Sequence, residues 1–156
     1  LPHDTTGSMT DKLAVVGAQL LLEVLPRWVK GELTPQPQDE VQATYTKRFE
    51  KEDGEIDWTL PAVELGRRVR ALNPWPGCYT RWQGKQLKII EAVPFPAEGN
   101  IDIGRVVALK GEAAFGVGTG AGILGVLQVQ LEGKRAVTAA EFLRGQKEFA
   151  GTVLPG

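Results

Sequence analysis

Between residues 8 and 30 apolar side chains recur at helical spacing. Leu13, Val16, Leu20, Val24 and Trp28, flanked by Leu21 and Leu25, make a wide stripe on one side of an amphipathic helix. Ser8 is placed as its N-cap with Asp11 as the capping acid, and Gly31 is a natural stop. Such a stripe needs cover. Burying some seven side chains of this kind is worth on the order of 10 kcal/mol before entropy, at about 1.5–3 kcal/mol each. The period then lapses over 32–58, where Pro35 and Pro37 stiffen an extended stretch and the charges from Glu50 to Asp57 favour solvent, as in a surface linker.

A second helix is predicted over about 60–72, with Pro61 in its first turn and Val63, Leu65, Val69 and Leu72 spaced for a buried side. Asn73-Pro74-Trp75-Pro76-Gly77 ends it. Two prolines set two φ angles and remove two donors, so the run is a stiff joint that holds one large aromatic at a set angle. Downstream the period changes to two: Tyr79 to Trp82 and Gln86 to Val93 flank a hairpin signal at Gln83-Gly84-Lys85. Gly104 to Lys110, Ala114 to Thr119 and Ile123 to Leu131 read as further short strands, and Thr138-Ala139-Ala140-Glu141 is a capping box opening a helix that ends at Gly145. The fold class is α+β: a helix, a linker and a helix-flanked antiparallel β-barrel.

Composition removes several kinds of chemistry. One cysteine (Cys78) and one histidine (His3) cannot make a four-ligand zinc site, and a lone cysteine forms no internal disulfide, which makes a reducing cytoplasm the default. His3 has no neighbouring pattern that would make it a base, and Cys78 reads as a small buried hydrophobe. Gly120 to Gly125 matches a dinucleotide fingerprint in letters, but Ile123, Leu127, Val129 and Leu131 continue as a strand where that motif needs a helix, so a glycine-rich turn is the better reading. No run approaches the 18 or so apolar residues that span a bilayer. The chain begins at leucine, which fits a processed or excised segment.

Charge is uneven: residues 1–60 hold 6 Lys/Arg against 11 Asp/Glu, and residues 61–156 hold 12 against 8. Arg67 and Arg70 share a helix face, Arg81, Lys85 and Lys88 straddle the first hairpin, and Lys134 and Arg135 precede the last helix. Two readings of this set stand side by side, a scatter of solubilising charges and a phosphate-binding surface. The aromatics divide likewise. Trp75, Tyr79 and Trp82 could stack on bases, although Tyr79 and Trp82 have opposite strand parity, so at most one shares the face pattern of Arg81. Trp75 in its proline bracket is better read as a core wedge between helix and barrel.

The joint Asn73 to Tyr79, taken with Gln36-Pro37-Gln38-Asp39-Glu40, Ala43-Thr44-Tyr45 and Lys51 to Trp58, resembles the C-terminal half of methionyl-tRNA formyltransferases. The likeness runs from Asp4-Thr5-Thr6-Gly7-Ser8 to Glu141-Phe142-Leu143. It implies a division into 1–31, the terminal helical segment of a catalytic domain; 32–58, a linker; and 59–156, an OB-like C-terminal domain. It further implies a parent enzyme that moves a formyl group from 10-formyltetrahydrofolate to the methionine of initiator tRNA. The catalytic Asn, His and Asp and the folate pocket would lie upstream, leaving no catalytic, cofactor or metal residue here. RNA contact would fall to Arg67, Arg70, Arg81, Lys85, Lys88, Lys134 and Arg135. The uncovered helix over 8–30 would face the missing catalytic domain or a second copy in a homodimer. Relatives acting on sugar nucleotides or other folate-linked substrates share the Pro-Trp-Pro-Gly joint and form one alternative; a stand-alone OB-like nucleic-acid-binding module is another.

Overall fold

The computed structural model describes residues 3–96 and 101–156; residues 1–2, at the head of the segment read as 1–31, and 97–100 lie outside the described residues. Helix α1 spans Thr6–Val29. Its cap is Thr5, not Ser8: Thr5 Oγ1 accepts from the Ser8 amide at 3.1 Å and Ser8 Oγ accepts from the Thr5 amide at 3.0 Å. Ser8 thus takes the third helical position, where a glutamate more often completes the box, and Asp11 has no part in it. Gly31, at φ +72°, follows the helix end. No side chain of α1 is buried.

The stretch read as linker is exposed through most of 32–49, but it forms a 3-10 turn at Lys51–Gly54 and then enters the core. Ile56 and Trp58 are buried, and the Trp58 indole N–H donates to Thr80 Oγ1 at 3.3 Å. Two carboxylates of this charged run have local structural duties. Asp53 accepts from the Glu50 amide at 2.8 Å and from Lys47 Nζ at 2.6 Å; Asp57 accepts from the amide and hydroxyl of Thr59 at 3.0 and 2.6 Å. Helix α2, Ala62–Ala71, buries Ala62, Leu65, Gly66 and Val69. Val63, expected on that side, is exposed, because Ala62 and Gly66 bring the helix backbone close to the sheet on the opposite edge of the stripe.

Six strands follow: β1 Cys78–Trp82, β2 Lys85–Phe95, β3 Val106–Ala108, β4 Phe115–Gly118, β5 Ile123–Leu131 and β6 Val137–Thr138. Gln83 and Gly84 join β1 to β2 with φ +49° and +71°, the positive pair that a two-residue hairpin turn requires. All pairings are antiparallel, in the order β1-β2-β5-β4-β3, with β6 beside β5. The sheet is open, which corrects the closed barrel expected from strand spacing. The free edges of β1 and β3 are taken by irregular segments and not by each other. Ile56 N–H donates to Tyr79 C=O at 2.8 Å along β1, and the Val106 and Leu154 amides tie the C-terminal tail to β3, each at 2.9 Å. The tail also reaches β1 through Gly156 N–H to Arg81 C=O at 3.0 Å. It lies across the gap that strand pairing would have closed.

Leu87, Ile89, Val129, Leu131, Val126 and Val117 face inward. Over them sits an aromatic cluster of Trp82, Phe115, Phe142 and Phe149, with neighbouring ring centroids 5.0–6.3 Å apart in edge-on or tilted contact. Helix α3, Ala139–Gly145, carries Phe142 into the cluster and starts at the Thr138/Glu141 box that the sequence predicts.

Candidate nucleic-acid interface

Strand parity places the polar face. In β1 and β2, Tyr79 pairs with Lys88 and Arg81 with Gln86, and in β5 Gln130 pairs with Lys88. Cross-strand partners share a face, so Lys88, Gln86, Gln130 and Arg81 lie opposite the inward Thr80, Leu87 and Val129. Tyr79 is on this outer face yet buried, since Gly54 and Ile56 pack along it, and Trp82 belongs to the core cluster. Neither ring is available to stack on a base, which corrects the sequence reading.

Trp75 is corrected in the other direction. The joint closes on itself through Gly77 N–H to Leu72 C=O at 2.8 Å. That closure buries Pro76 and Gly77 and leaves Trp75 at the apex, 59% exposed. Gly77 needs its glycine: φ is +78°, and Lys88 Nζ lies 3.2 Å from where a Cβ would stand.

The basic residues separate into groups. Arg67 and Arg70 line a cleft of about 400 Å³ with Thr6, Met9 and Leu13 of α1. Arg70 is half-buried, with Nη1 donating to Gly66 C=O at 3.0 Å, and it also borders a second cleft of about 410 Å³ with His3, Asn73, Glu91 and Gln128. Asn73 leads from there to a third cleft, about 180 Å³, that holds Lys88 and Gln130. Gln130 Nε2 in turn donates to Lys134 C=O at 2.9 Å. Arg67, Arg70 and Lys88 thus line successive clefts from α2 to the outer face of the sheet, with Gln128 and Gln130 along them, and the Gln130 bond ties the last of these to the backbone at Lys134. Arg135 sits beside Lys134 on the rim of a 260 Å³ cleft floored by Leu131, Val137 and Phe142.

Arg81 stands apart. It lies 3.6 Å from Glu55 in a cleft of about 240 Å³ that also holds Glu52, Glu132 and Lys51, so three carboxylates face two cations there. Lys85 is exposed at the hairpin beyond it. The amide positions at Gln128 and Gln130 were marked in the sequence by the period-two alternation of β5, but their place beside the cations depends on the β2–β5 register.

Burial pushes the Cys78 thiol up to about 11, so it stays protonated at neutral pH. The Lys12 ammonium, 2.6 Å away, holds the Asp4 carboxyl well below the usual carboxylate range, and the Ser8 hydroxyl adds to this. Lys47 does the same for Asp53, with help from the Glu50 amide. Among the described residues no three His, Cys, Asp or Glu side chains gather to hold a metal, and no helix is long and apolar enough to cross a membrane.

Comparison with known proteins adds a lineage to this geometry. Residues 48–147 match the family described as formyl transferase, C-terminal domain. Two relatives named methionyl-tRNA formyltransferase are similar over nearly the whole chain. That of Chloroflexus aurantiacus is 43% identical over 92% of this chain and 46% of its own length; that of Dehalococcoides mccartyi is 43% identical over 98% and 48%. The chain therefore spans slightly less than half the length of these relatives. Among solved structures, a variant of HypX from Aquifex aeolicus superposes with a TM-score of 0.66 at 23% identity, covering 96% of this chain and 28% of HypX, a likeness of fold.

Proposed function

The chain belongs to the family of formyl transferase C-terminal domains, and on that premise we propose that it is the tRNA-positioning part of a methionyl-tRNA formyltransferase. The parent transfers a formyl group from 10-formyltetrahydrofolate to the methionine amino group of initiator tRNA. Its folate pocket and catalytic residues belong to the part of the protein outside this chain. In this division 1–31 completes the catalytic domain through an amphipathic helix, 32–58 links, with Ile56 and Trp58 at its end packed into the core of the next unit, and 59–156 is an OB-like unit. The cytoplasm is the compartment that suits this reaction. The observation that carries the reading is the 43% identity to enzymes of that name across 92% of the chain.

The path Arg67–Arg70–Lys88, with Lys134 and Arg135 as further candidates, supports phosphate contact. Cations supply affinity without sequence readout, and placing the RNA brings the reacting amine to the missing active site. Arg81 and Lys85 have a weaker claim, because Glu52, Glu55 and Glu132 around Arg81 repel phosphate. An exposed α1 also leaves room for a homodimer in the isolated chain.

The test uses the 156-residue chain with initiator tRNA at two salt concentrations, alongside a formyl-transfer assay. Binding is expected to be weak and salt-dependent, with no transfer. Arg67→Ala/Arg70→Ala should lower the slope of log affinity against log salt by nearly one per lost contact, about two in all. An unchanged slope would remove these arginines from the interface, and robust transfer by the chain alone would overturn the non-catalytic assignment.

A further inference from the structure

Trp75 is a large apolar side chain held at the apex of a rigid joint and left 59% exposed. A preorganised indole loses little freedom on docking, which is why tryptophan so often anchors interfaces. The joint is fastened to the start of α1. Gly7 N–H donates to Asn73 C=O at 3.0 Å, Thr6 Oγ1 donates to Ala71 C=O at 2.5 Å, and a Cβ on Gly7 would lie 3.1 Å from Pro74 Cδ. Helix α1 then runs 24 residues and leaves Leu13, Val16, Leu20 and Trp28 each at least half exposed. Met9 and Leu13 line the cleft against Ala71, so the exposed helix begins beside the joint. An apolar surface of this extent marks an interface.

With 1–31 read as completing the catalytic unit, the N-terminal half of the longer parent chain is what covers α1; we propose that the same body also buries Trp75, as an anchor between the two halves. The relatives are about twice as long as this chain, which spans 46–48% of them, so a body of sufficient size exists. Charge favours protein over RNA as the occupant. Helix α1 carries Asp11 and Glu23 against Lys12 and Arg27, and so offers phosphate no net attraction, whereas the basic path lies on α2 and the sheet. The inference rests on reading α1 as part of the catalytic unit.

Indole accessibility provides the test. Trp58 and Trp82 are buried, so in a Trp28→Phe background the difference made by adding Trp75→Phe isolates Trp75. In the 156-residue chain Trp75 should emit as a solvated indole and be quenched readily by acrylamide. In the full-length parent, without RNA, its emission should shift to the blue and its quenching constant should fall several-fold. Equal quenching in both proteins overturns the inference. Protection that appears in the parent only after initiator tRNA is added also overturns it, and assigns Trp75 to base stacking. Formyl transfer by the same parent separates the two readings. Transfer with an open Trp75 sinks this inference alone, and a covered Trp75 without transfer sinks the functional reading alone.

Discussion

Phe149 tests how the sheet is held together. Its ring is fully buried, with centroids 5.1 Å from Trp82 and 5.0 Å from both Phe115 and Phe142, all edge-on. It lies just before the tail whose amides bond to β3 and β1. Phe149→Ala removes the ring from a site enclosed on several sides, where collapse is restricted, so the loss belongs in the range of about 3–5 kcal/mol for buried phenylalanine. The three ring pairs, at about 0.5–1.5 kcal/mol each beyond area burial, place it toward the upper end. A domain of this size has roughly 5–15 kcal/mol of stability in all, and about 4–8 °C of melting temperature accompanies each kcal/mol. Urea unfolding followed by near-ultraviolet circular dichroism should show a lower midpoint with an unchanged slope. Hydrogen exchange should quicken at Val106 and Leu154, whose amides carry the tail pairing. Val153→Ala, in the same tail but exposed, is the control. A loss below about 1.5 kcal/mol for Phe149→Ala, or exchange at Val106 no faster than in the control, would refute the tail's role in closing the core.

Three further outcomes follow from the same packing. Gly54→Ala should destabilise the chain by at least about 1–3 kcal/mol in denaturant titration, since its Cβ would stand 2.1 Å from Gly77 C=O, a backbone atom that cannot step aside; an unaltered midpoint would mean that the 3-10 turn is not held against the joint. The Thr138 amide, followed by its hydroxyl, holds the Glu141 carboxyl below its ordinary value. That bond contributes stability above the unfolded pKa and loses it as pH falls through the lower folded one, so Glu141→Gln should flatten the acid side of the stability profile below about pH 4.3, and parallel profiles would contradict the assignment. Cys78, buried and with its thiol raised to about 11, should react with a thiol reagent at pH 8 only after denaturant is added; prompt stoichiometric reaction in the native chain would show the site to be open.

Sequence and tertiary structure answered different questions here. The period-two runs, the Gln83-Gly84 turn, the Thr138/Glu141 box and the refusal of Gly120 to Gly125 to be a nucleotide loop were all legible, because each depends on residues within about four positions of one another. So was the lineage, through the Asn73 to Gly77 joint and the motifs before it. The basic candidates could be named but not grouped. Lys88 joins Arg70 only through Asn73 and the β2–β5 register, while Glu55, 26 positions from Arg81 in sequence, neutralises it.

Helix α1 illustrates the division most plainly. Its existence is local, written in spacing and in a Thr5/Ser8 cap that sequence shifted by three residues. What covers it is not written in it. The same limit explains the open sheet and the burial of Ile56, Trp58 and Phe149, since strand spacing cannot tell whether two edges meet each other or a tail from the far end of the chain. Local hydrogen bonding and side-chain period were fixed by neighbours along the chain; edges, cover and the company each charge keeps were decided by segments that meet only when the whole chain folds.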